Sequence, residues 1–64
     1  MKHIIVFFRA DGREFVGGEV FHQEQEAINE ARRHVKEEWC QSASVHTLLE
    51  ITTIVTKEGH DNSN

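Results

Sequence analysis

The sequence predicts a small α+β domain of β-β-α-β order: a three-stranded sheet of order 2-1-3 with one helix packed on one face. Three observations predict it. Residues 4–8, "IIVFF", form an unbroken apolar run that leads through Asp11-Gly12 into a second β-rich stretch. Residues 23–41, "QEQEAINEARRHVKEEWCQ", are rich in helix formers and hold no Gly or Pro. Residues 44–57, "SVHTLLEITTIVTK", carry Val, Thr, Ile and Leu at nearly every position.

Asp-Gly between two β-rich runs signals a hairpin, because a two-residue type I′ turn needs positive φ at both central positions. Counting outward from Asp11 and Gly12 sets Arg9 opposite Glu14, Phe8 opposite Phe15 and Phe7 opposite Val16. An ion pair and an aromatic pair then stand beside the turn. This register puts Ile5, Phe7, Val16 and Val20 on one sheet face and Ile4, Val6, Phe8 and Phe15 on the other. Gly17 and Gly18 mark a bulge or a close approach of backbone.

In the helical stretch, Ile28, Ala31, Val35 and Trp39 recur at spacings that align them in one stripe, with Ala27 beside it. This stripe is the predicted core face. Glu24 and Glu26 fall early and Arg32, Arg33 and Lys36 later, an order that suits the helix dipole. No strong N-cap residue precedes the helix, so it starts raggedly around His22 and Gln23.

Residues 44–57 read as one long strand, bent or bulged near Leu49 and Glu50. The polar residues 58–64 read as a disordered tail, which leaves residues 1–57 as a single domain. A right-handed crossover makes the third strand parallel to the second and pairs it with the open side of the first. The first strand is apolar on both sides, whereas one helix covers one face. The other face is expected to be an uncovered apolar patch, the mark of an interface.

Composition narrows the function. The 64 residues hold 11 acids and 7 bases, a net charge of −4 that repels nucleic-acid phosphates and anionic membranes. No apolar run approaches the roughly 18 residues of a membrane span. A single cysteine, Cys40, fits a reducing, cytoplasmic setting. A domain of this size buries only about 60% of its unfolded surface and has little room for a deep cleft.

Five histidines invite a metal reading, with His34, Cys40 and His46 as ligands, but no pair has zinc-finger or "HExxH" spacing. No metal and no cofactor are expected. Cys40 as a nucleophile with His34 as base is opposed by its place at a helix C-terminus, which raises a thiol pKa, and by a six-residue separation that puts the two on different helical faces. "VGGE" lacks the helix start and lysine of a phosphate loop. The sequence offers no catalytic constellation.

The outer helix face remains. Glu26, Glu30, Arg33 and Glu37 lie along it, with Asp11 and Glu14 beside the hairpin. One reading is a solvated face laced by the pairs Glu30–Arg33 and Arg33–Glu37. The other is an acidic stripe that meets a basic groove as a decoy for nucleic acid.

A methionine-started, acidic, cysteine-poor chain with a hairpin, one acidic helix and a closing strand resembles the phage-encoded anti-CRISPR proteins, over residues 2–57 and in layout. The resemblance implies stoichiometric binding to a CRISPR effector subunit in the host cytoplasm, at a DNA-binding groove. Glu26, Glu30 and Glu37, helped by Asp11 and Glu14, are the residues nominated for that contact. The expected function is a non-enzymatic protein-binding inhibitor that mimics DNA. The alternative is a homodimeric regulatory or structural domain that pairs through its uncovered apolar sheet face.

Overall fold

The structure, a computed structural model, describes residues 1–48 and 50–62, with residues 59–62 followed by their backbone. The elements run β1 (Ile4–Arg9), β2 (Glu14–Val16), α1 (Glu24–Val35), β3 (Cys40–His46), β4 (Ile51–Thr56) and β5 (Gly59–Asn62). The strands form one sheet of order β2-β1-β3-β4-β5 in which every neighbouring pair is antiparallel. The α+β class holds. The most apolar strand, β1, lies between β2 and the strand that follows the helix, as its composition requires.

The three-stranded sheet is corrected. Residues 44–57 are not one strand: a strand of that length would reach about 46 Å, well beyond the molecule's longest extent of 30 Å. The chain turns back between His46 and Ile51, where the Thr47 amide donates to the Glu50 carbonyl at 2.8 Å. Glu50 N–H returns a bond to the Thr47 hydroxyl at 3.3 Å. The predicted tail is corrected too, because residues 59–62 pair with β4 as β5; residues 63 and 64 of that tail lie outside the described residues.

The helix ends at Val35 rather than Gln41, and Cys40 and Gln41 open β3 instead. No Gly or Pro in the sequence announces this stop. It is made from a distance: the Lys57 ammonium, at the end of β4, donates to the carbonyls of Val35 at 2.8 Å and Glu37 at 3.2 Å. The Val35 carbonyl is a helix-terminal acceptor with no intrahelical partner; the Glu37 carbonyl, past the helix end, also accepts from the Cys40 amide at 3.2 Å. At the other end Gln23 makes no side-chain cap bond.

The hairpin register is also shifted from the predicted one. Gly12 sits at φ +91, its amide donates to the Arg9 carbonyl at 3.0 Å, and the Arg9 amide donates to Arg13 at 2.7 Å. The loop is therefore three residues, a turn closed by a left-handed glycine, with the Asp11 carboxylate accepting from the Arg13 amide at 3.0 Å. Phe7 now pairs with Phe15, Val6 with Val16 and Phe8 with Glu14. A one-residue slip exchanges the faces of a strand. Phe15 joins Phe7 at 5.3 Å between ring centroids, and Val16 moves to the opposite side. The expected Arg9–Glu14 pair gives way to Arg9–Asp11 at 3.7 Å.

The helix packs on one sheet face. Ala27, Ile28, Ala31 and Val35 are buried against Ile5, Phe7, Ala43, Val45 and Val55. Trp39 reaches the same core from the connection after the helix, 5.7 Å from the Phe7 ring and 5.8 Å from Phe15. Gly17 is a true close approach: a Cβ there would stand 3.0 Å from Cε2 of Phe7 and 3.3 Å from the Ile5 carbonyl.

Candidate interaction surface

The sheet face turned away from α1 leaves Phe8, Val16, Ile51 and Ile54 exposed. Pairing aligns Val16, Val6, Ser44 and Ile54 in one row across four strands, and Glu14, Phe8, Ser42 and Thr56 in the next. Phe8 is 37% exposed, Val16 60% and Ile54 44%. An open recess of about 460 Å³ lies over Val6, Phe8, Val16 and Ser44.

β4 contributes two isoleucines to this face because its pairing is irregular. Val45 faces Thr53 while His46 faces Ile51, which leaves Thr52 as the extra residue. Ile51 and Ile54, three apart, would point to opposite sides of a regular strand; the bulge brings them to one side. The Thr52 hydroxyl donates to the Val45 carbonyl at 3.2 Å and secures the irregularity. In the centre, Ser44 and His46 share a 2.6 Å hydrogen bond between Oγ and Nε2, which satisfies the hydroxyl of a residue only 5% exposed.

The nominated acids occupy three separate places. Glu26 is exposed in the first turns of α1. Glu30 is half-buried and engaged: its carboxylate accepts from Arg33 at 2.6 Å and lies 2.8 Å from His34 Nε2. The Arg33 hydrogen bonds, then those of His34, hold its carboxyl below the ordinary range. Glu37 is exposed but lies beyond the helix end, so the three glutamates do not share a helical face as predicted. Asp11 is occupied within the hairpin turn by the Arg13 amide and Arg9. Glu14 is exposed at the β2 edge of the open face.

Cys40, Glu24 and His34 are committed to structure. Cys40 lies in β3, not at a helix end, and is fully buried; burial raises its pKa, and Sγ donates to the Ser42 carbonyl at 3.4 Å. Glu24 ties α1 to β4 by accepting from the Thr53 hydroxyl at 3.0 Å, and the hydroxyls of Thr52 and Thr53 hold its carboxyl low. His34 bonds to Glu30, and its ring lies edge-on to Phe7 at 5.2 Å. Among the described residues no three His, Cys, Asp or Glu side chains gather into a metal-binding group. No helix among them is long and apolar enough to cross a membrane.

Comparison with family models, curated proteins and solved structures returned no match.

Val16, Ile51 and Ile54 belong to the open face and escaped the sequence reading. The signal for Val16 was the Asp-Gly turn, read one residue too short. For the isoleucines it was their spacing of three, which a bulge alone brings to one side.

Proposed function

We propose that the chain is a non-enzymatic protein-binding module that acts by laying its open sheet face against a protein surface. The observation that carries this reading is the row of Val16, Val6, Ser44 and Ile54, with Val16 and Ile54 exposed, on a sheet whose other face is closed by α1. Exposed apolar surface of this extent on a small soluble domain marks a contact site. The acids support association differently. A net charge of −4 steers the chain toward basic partners and fixes orientation, while the apolar face supplies the contact itself.

A second reading is favoured by the exposure of Glu26 and Glu37: an inhibitor of the anti-CRISPR kind whose acidic surface occupies a nucleic-acid groove of a host defence complex. Against it, Arg33 and His34 already occupy Glu30, the middle acid of the proposed stripe.

Quantitative capture from a bacterial lysate separates the two, with the parent chain, Ile54→Lys, and the triple variant Glu26→Lys, Glu30→Lys, Glu37→Lys as baits. The sheet-face reading predicts that Ile54→Lys loses the co-purifying protein and the triple variant retains it. Retention by Ile54→Lys with loss by the triple variant would overturn it in favour of the acidic surface.

A further inference from the structure

We draw no further inference here: the strongest candidate, the pair of open recesses that His46 borders on the sheet face turned away from α1, belongs to the surface already described, and nothing in the structure shows what covers it.

Discussion

Replacing Gly17 with alanine tests the packing that joins the hairpin to the core. The added methyl would stand 3.0 Å from Cε2 of Phe7 and 3.3 Å from the Ile5 carbonyl, so the Phe7 ring must move by a few tenths of an ångström. It has little room to do so: Phe15, His34 and Trp39 lie 5.3, 5.2 and 5.7 Å from it, centroid to centroid, and the residue is 5% exposed. Overpacking of this kind costs about 1–3 kcal/mol. The smaller entropy of the unfolded alanine chain offsets about 0.4–1 kcal/mol of that. Gly17→Ala is therefore expected to lose about 1–2 kcal/mol, a large share of the roughly 3–10 kcal/mol expected for a chain of this length.

Gly18→Ala is the internal control. Its Cβ meets nothing within 4 Å and its φ lies outside the left-handed range, so this variant should be unchanged or stabilised by up to about 1 kcal/mol. Equilibrium guanidinium unfolding followed by Trp39 fluorescence reads both. Gly17→Ala melting at or above Gly18→Ala would refute the close approach and with it the placement of β2 against Phe7.

Three further outcomes follow from the geometry. Lys57→Met keeps the side-chain stem but removes the two bonds to the Val35 and Glu37 carbonyls; it should cost about 1 kcal/mol in chemical unfolding and speed amide exchange around Glu37 and Cys40. Glu24 and Glu30 are both held below the ordinary carboxyl value of 4.5, so their stabilisation is complete above that pH and is lost as pH falls through their folded values. Thermal midpoints should drop on acidification below pH 4.5, and Glu24→Gln should flatten that limb. The Cys40 thiol, buried and with its pKa raised, should react with an aromatic disulfide reagent only at the rate of unfolding; labelling as fast as a small-molecule thiol would contradict its burial.

The sequence carried some of this architecture openly. The stripe of Ile28, Ala31 and Val35 was legible because apolar spacing fixes a helical face regardless of where the helix ends. The close approach at Gly17 was legible because a glycine inside a β-rich run marks missing space. What escaped depends on distant or ambiguous signals. Lys57 closes the helix from 22 residues away, and no local pattern reveals that. The reversal between β3 and β4 uses hydrogen bonds of Thr47 with Glu50 rather than Gly or Pro, so the run from Ser44 to Lys57 looks continuous.

The candidate surface was legible as a fact but not in its membership. Two apolar sides on β1 and a single helix require an uncovered face. Which residues line it depends on hairpin register, and Asp-Gly fits both a two-residue loop and the three-residue loop closed by Gly12. That single residue of loop length exchanges Phe15 for Val16. The acids were legible as exposed charge, but the shortening of α1 removes Glu37 from the helical face on which a continuous stripe depends.

The most direct test of an apolar, sheet-borne contact is the salt dependence of lysate capture by the chain. Run from about 50 to 500 mM salt, the amount of partner captured should stay level, because screening leaves apolar burial intact. Capture that falls about tenfold over that range would show that charge pairing holds the partner, and would contradict the sheet face as the contact.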